Sequence, residues 1–175
     1  MLPAPRTRDE AHLYLDLHGC PQCTSPEVSW SESLVDRDGV LARRYHGDCA
    51  QCGLPREFVF ALPDRPTPPR PGAAVTFGAA DDTSVLLDAG QWVEIADMMA
   101  LAAGLPDVAE EEAGHWRAVA VACLDEALKF LPAGDGTPPD TAFWSDAGRR
   151  LRDRAPERFQ RADLVARRAT LAGHR

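Results

Sequence analysis

Lysine is nearly missing from this sequence: Lys129 is the only one among 19 basic residues. The arginine excess comes with abundant alanine, glycine and proline. That is the composition of a GC-rich genome, and it lowers the weight of any single arginine cluster as a nucleic-acid signal. Long apolar runs are missing too, and no segment has the length of a membrane span. Residues 1–10 contain Arg6, Arg8, Asp9 and Glu10 and none of the apolar stretch that a secretory signal carries, so the expected compartment is the cytoplasm. There is no phosphate loop, serine elbow, zincin helix or dinucleotide-binding turn, which argues against an enzyme. Cysteine is scarce, with five in 175 residues, and four of the five fall in two CxxC pairs. In a reducing compartment that pattern points to a metal rather than to disulfides.

The chain is long enough for one ordinary domain or two small ones, and 45% apolar residues suffice for a core. The net charge of −8 is unevenly spread. Residues 1–70 carry 8 basic and 10 acidic side chains, residues 71–147 carry 2 and 14, and residues 148–175 carry 9 and 3. The net charges of these segments are therefore −2, −12 and +6. As a whole the protein should repel nucleic acid at long range, while the acidic middle attracts a basic partner.

The pattern along the chain predicts an α+β protein in three parts. In residues 11–18, Leu13, Leu15 and Leu17 alternate with polar or amphipathic neighbours, the period of a strand. This strand leads into Cys20 and Cys23. Val28–Val35 and Val40–Tyr45 read as a hairpin around Asp36-Arg37-Asp38-Gly39, followed by Cys49 and Cys52 and a last strand over Glu57–Leu62. Each CxxC thus follows a strand, the arrangement of an antiparallel zinc ribbon over residues 1–62. Residues 63–72 contain five prolines and read as a stiff linker. Residues 73–175 read as a helical domain of about four helices.

Asp88 with Gln91 forms a capping box for the first of these, which carries Trp92, Ile95, Met99 and Ala102. Asp107 with Glu110 offers a second box, for a helix whose apolar stripe runs Trp116, Val119, Ala120, Cys123, Leu124, Ala127 and Leu131. Asp140 is the expected cap of a third helix containing Phe143, Trp144, Ala147 and Leu151. Pro156 suits the first turn of a fourth, with Phe159, Leu164 and Val165.

Cys20, Cys23, Cys49 and Cys52 are the candidate ligands of one structural zinc ion. Each CxxC turn aims two thiolates at one point, and four thiolates close the tetrahedron without leaving a position for substrate. Gly53 fits the positive φ that such a turn needs after its second cysteine. A redox dithiol and an iron–sulfur centre are the alternatives that the ligand type leaves open. His18 and His46 flank the knuckles and read as surface histidines. A segment this short cannot bury enough to be stable alone, so the metal should hold it folded.

Other chemistry is thin. Glu112 and His115 have the Glu-x-x-His spacing of di-iron bundles, but such sites need a second copy. Cys123 sits on an apolar stripe and reads as a core thiol. The basic tail either packs on the acidic middle or offers a nucleic-acid face through Arg149, Arg150, Arg152 and Arg154; the opposed charges favour packing.

Five segments carry a resemblance: Cys52–Phe60, Leu86–Trp92, Leu128–Pro132, Ala142–Ser145 and Pro156–Phe159. Together they resemble a group of zinc-ribbon-plus-helical proteins of GC-rich bacteria, actinobacterial and myxobacterial in type. The resemblance implies the architecture and carries over no functional residues. Small acidic bacterial proteins of this size are often immunity proteins or antitoxins. The resulting expectation is a non-catalytic, zinc-stabilised binding module for a basic protein. Asp81, Asp82, Asp88, Asp97, Glu110, Glu111 and Glu112 would supply its steering charge. The alternative is a nucleic-acid-associated regulator.

Overall fold

The computed structural model describes residues 2–134 and 136–173. It is α+β, with five α-helices and one three-stranded antiparallel sheet among the described residues. The chain divides into two compact units, Met1–Pro68 and Pro69–Arg175, and the division falls inside the proline-rich segment. No helix is long and apolar enough to cross a membrane.

The first unit begins with a helix where alternation predicts a strand. Helix α1 spans Arg8–Leu17. Thr7 caps it, its hydroxyl accepting a hydrogen bond from the Glu10 backbone N–H. The Thr7-x-x-Glu10 spacing is a helix-start signal, and it outweighs the leucine alternation. Burial follows the helical period, with Ala11 and Leu15 inside and Leu13 and Leu17 only half-buried. The Glu10 carboxylate is buried and takes hydrogen bonds from the Arg6 backbone and guanidinium at 2.7–3.2 Å.

Strands β1 (Ser31–Arg37) and β2 (Val40–Asp48) form the expected hairpin. Asp38 and Gly39 turn it with φ of 56° and 81°, the left-handed pair that matches strand twist. Strand β3 (Pro55–Ala61) pairs with β2, giving the order β1-β2-β3. Val28 lies outside β1 and makes a single bridge to Cys49. Tyr14 of α1 meets Phe58 and Phe60 edge-on, with centroids 6.1 and 5.6 Å apart, and His12 meets Tyr45. Helix α1 therefore packs on the sheet face that carries Tyr45, Phe58 and Phe60.

The second unit is helical. Helix α2 (Ala89–Ala103) has the capping box that Asp88 and Gln91 predict, with both reciprocal bonds present. Trp92, Val93, Ile95 and Ala96 are its buried face; Met99 and Ala102 are half-buried. Helix α3 (Glu110–Leu128) begins at Ala109, which caps it without a side-chain bond, so the Asp107–Glu110 box does not form. Three glutamates in its first turn face the positive end of the helix dipole instead. The predicted stripe of α3 is buried from Val119 to Ala127, while Trp116 is only half-buried.

Beyond α3 the chain is less regular than its pattern suggests. Asp140–Ala142 is a single 3-10 turn, and helix α4 (Asp146–Arg154) starts after Ser145, whose hydroxyl accepts from the Gly148 N–H. Phe143 and Trp144 lie in the connection between this turn and α4 rather than in a helix, Phe143 buried and Trp144 exposed. Pro156–Phe159 is a second 3-10 turn, and helix α5 (Arg161–Gly173) follows it. Helix α3 packs against α2 and α5, and α2 also packs against α4. The α2–α4 contact needs a glycine: a Cβ on Gly90 would lie 2.3 Å from the Gly148 Cα.

Lys129 has a structural role. Its ammonium donates to the Ala79 carbonyl and to the buried Glu126 carboxylate, both at 2.6 Å. A buried carboxylate needs such a partner.

Candidate metal centre

The two CxxC segments fold into the same turn. In the first, the Cys20 N–H donates to the Ser25 carbonyl at 2.8 Å and the Thr24 N–H to the Cys20 carbonyl at 2.7 Å. In the second, the Cys49 N–H donates to the Leu54 carbonyl at 2.9 Å and the Gly53 N–H to the Cys49 carbonyl at 2.8 Å. The residue after each second cysteine is left-handed: φ is 62° at Thr24 and 71° at Gly53. Gly53 meets that demand at no steric cost, whereas the β-branched Thr24 meets it under strain.

The sulfurs are dressed alike as well. Cys20 Sγ accepts from the backbone N–H groups of Gln22 and Cys23, and Cys49 Sγ from those of Gln51 and Cys52. Cys23 Sγ accepts from Ser25, and Cys52 Sγ from Leu54. Six backbone donors thus point at four sulfurs, as thiolates require.

All four Sγ atoms lie within 4.8 Å of one another, and the Cys20–Cys52 and Cys23–Cys49 pairs are 3.5 Å apart. A metal–sulfur bond of about 2.3 Å sets a tetrahedral edge of about 3.8 Å, so this spacing fits one ion held by all four. Both of these 3.5 Å pairs join one knuckle to the other, which distinguishes a shared centre from two separate dithiols. Cys20 and Cys49 are buried and Cys23 and Cys52 half-buried.

Thiol acidities split along the same symmetry. Burial pushes the Cys20 thiol up, but the Gln22 and Cys23 N–H groups and the neighbouring thiols outweigh it and bring it down to about 6. Cys49 also lies below its ordinary value, chiefly because the Cys52 N–H stabilises its thiolate. At Cys52 the Leu54 N–H pulls down, but burial and the three neighbouring thiols push it up to about 12. Cys23 likewise lies above its ordinary value: the Ser25 N–H lowers it, and burial with the Cys49 thiol raises it more. Four thiols this close cannot all ionise without a cation among them. A metal ion held among them would supply that charge.

Arg56 adds a clamp that its position in the sequence does not suggest. It follows the second knuckle on β3, is buried, and donates to the His18 carbonyl at 2.6 Å, just ahead of the first knuckle. Its guanidinium also lies 5.5 Å from the Phe58 ring centroid. His18 stacks on Tyr14 and its Nδ1 lies 2.6 Å from the Tyr14 carbonyl, so it belongs to the helix end.

The other candidate residues scatter. Among the described residues the four cysteines are the only cluster placed to hold a metal ion. Glu112 and His115 are both exposed on α3. Cys123 is fully buried, and burial pushes its thiol far up. Asp81, Asp82, Glu110, Glu111 and Glu112 are exposed, and Glu110 pairs with Arg117. Asp88 and Asp97 do not belong with them. Asp88 is fully buried: Oδ1 accepts from the Gln91 N–H at 2.8 Å and Oδ2 from the Ser145 N–H at 2.7 Å. Asp97 is half-buried between Arg158 and Arg167. Asp88 is closed off in the core and Asp97 is neutralised by two arginines, so neither steers a partner, whereas Glu110 keeps an exposed carboxylate beside its single arginine.

Comparison of the chain with family models, curated proteins and solved structures finds no match. The site is therefore read from its own geometry.

Proposed function

We propose that the first unit is a zinc ribbon, with Cys20, Cys23, Cys49 and Cys52 holding one structural Zn²⁺, and that the protein is a non-catalytic binding module for a basic protein. The twofold repetition of the knuckle supports the zinc: both halves provide thiolates at tetrahedral spacing and leave no position for a substrate. Zinc suits four thiolates better than harder ions do.

The observation that carries the binding reading is the fate of the tail arginines. Arg158 and Arg167 pair with Asp97, Arg168 with Asp125, and Arg152 with Asp140 and Asp153. Arg149 holds Asp146 and the Trp144 carbonyl, and Arg161 holds the Pro132 and Gly134 carbonyls at 2.8 Å. Six of the basic side chains that a nucleic-acid face would need are thus engaged within the second unit. The acidic residues at the start of α3 stay in solvent, where they attract a basic protein. An inhibitor of the immunity or antitoxin kind would use such a surface.

Co-purification from the source lysate at low salt tests this reading, using the wild type beside a variant with Glu110, Glu111 and Glu112 changed to lysine. A stoichiometric basic protein retained by the wild type and lost by the variant is the expected result. Equal recovery by both, or none by either, would sink it. The nucleic-acid reading predicts instead that the protein is retained on DNA or RNA at about 50 mM salt. That retention would depend on Arg150 and Arg154, which have no ion pair among the described residues.

A further inference from the structure

Helix α2 buries one face and leaves another bare. Trp92, Val93, Ile95 and Ala96 face the core, but Met98, Leu101 and Leu105 are 45%, 73% and 51% exposed. Spacings of three and four residues put these three on one ridge, with Glu94 one turn ahead on the same line. Leu105 lies just past the helix, but its N–H still donates to the Ala102 carbonyl at 3.2 Å, so the winding continues. Among the described residues of the second unit six large apolar side chains are exposed, and three of them stand in this row. Single exposed leucines need no explanation, whereas a contiguous row marks an interaction site.

The charge around the ridge says what can cover it. Residues 71–116 hold nine acidic side chains and no lysine or arginine. Glu94 stands at one end of the ridge, and Asp107 and Glu111 follow Leu105 at the other, all three exposed. The last turn of α2 carries no basic residue, so its carbonyl end adds to the negative field. A second copy of the chain, with a net charge of −8, would set these carboxylates against their own kind. An anionic lipid surface is repelled for the same reason. An apolar segment with cationic ends is complementary both to the ridge and to its flanks.

We infer that the ridge of Met98, Leu101 and Leu105 is the docking site for an amphipathic helix of a basic protein. That helix lays apolar side chains along the ridge at i, i+3 and i+7. Lysines or arginines near its ends meet Glu94 on one side and Asp107 and Glu111 on the other. The ridge with Glu94 is about 16 Å long, so about three turns of partner helix span it. The site rests on the reading of the protein as a binder of a basic protein, and supplies the apolar contact that acidic residues alone do not.

Titration of the full-length, metal-loaded protein with a synthetic helical peptide of about 14 residues tests the proposal. The peptide carries leucines at i, i+3 and i+7 and lysines in its first and last turns. A control peptide has serine at the leucine positions and keeps the charge. Heteronuclear NMR should show the Met98, Leu101 and Leu105 signals shifting, with a Kd of about 0.1 mM or tighter. The control peptide, and a Leu101→Ser, Leu105→Ser variant, should each weaken binding by about tenfold, the loss expected of an apolar contact at an interface centre. Both leucines are exposed, so this variant should melt as the wild type does. Binding that survives the serine changes but is lost when Glu110, Glu111 and Glu112 become lysine overturns the ridge and leaves the acidic-surface reading standing. Binding lost only with the serine changes supports the ridge and sinks steering by those three glutamates. No shift at about 1 mM peptide overturns the proposal. So does a wild-type dimer that the serine variant breaks, because a second copy then covers the ridge.

Discussion

Replacing Asp88 by alanine should damage the second unit more than any other single change at an acidic residue, without touching the exposed acidic surface. Asp88 is fully buried and its two oxygens serve two helices: Oδ1 caps α2 through Gln91, and Oδ2 accepts from the backbone of Ser145, the capping residue of α4. Hydrogen bonds to a charged group are worth about 1.5–3 kcal/mol each. Alanine removes both and leaves two N–H groups without acceptors in a closed site; partial relaxation and water entry recover some of the loss. The expected cost is about 3 kcal/mol. For a domain of roughly 100 residues that is a fall in melting temperature of about 12–20 °C. Asp88→Asn keeps one acceptor and turns an NH₂ toward the other N–H, so its cost should be about 2 kcal/mol. Urea denaturation followed by tryptophan fluorescence reads the change, because Trp92 is buried one turn along α2. A loss under about 1 kcal/mol for the alanine variant would refute the reasoning, since it would mean that neither bond matters.

Three further outcomes follow from the same structure. Gly53→Thr places a β-branched residue at φ 71° and should weaken metal retention, while Thr24→Gly relieves φ 62° and should leave it equal or stronger; a chelator competition reads both. Cys20 is held down at about 6, so its thiolate contribution is present above the ordinary thiol range and lost as pH falls through that value. Metal should stay bound at neutral pH and leave as the solution is made acid, and full retention at about pH 3 would contradict a four-thiolate site. Cys123, fully buried with its thiol pushed up, should resist alkylation in native protein and react once the second unit is unfolded, which mass spectrometry can follow.

The clustering of Cys20, Cys23, Cys49 and Cys52 was legible because a shared metal site needs a residue type at a spacing, and CxxC states both. The hairpin was legible for a related reason: Asp38 and Gly39 readily take the positive φ that a two-residue turn needs. The first helix was misread because leucines at 13, 15 and 17 mimic a strand, although Thr7 and Glu10 carried the opposite signal. The irregular stretch from Asp140 to Phe159 was misread because acidic residues and prolines mark where helices start, not how long they run. Asp88 illustrates the limit for the surface. Its capping role was visible in the sequence, but its burial came from α4, which is 57 residues away in the chain at Ser145. Pairing of the tail arginines with Asp97 and Asp125 was expected from gross charge, yet the individual partners depend on how α5 lies on α3.

The central claim is that four cysteines hold one structural zinc ion. Metal analysis of the purified protein, beside a Cys20→Ser, Cys49→Ser double variant, tests it most directly. The account predicts one zinc per chain, no absorption in the visible range, and a variant that neither keeps the metal nor folds its first unit. A chain that carries iron and is coloured, or that keeps a folded first unit with no metal bound, would contradict it.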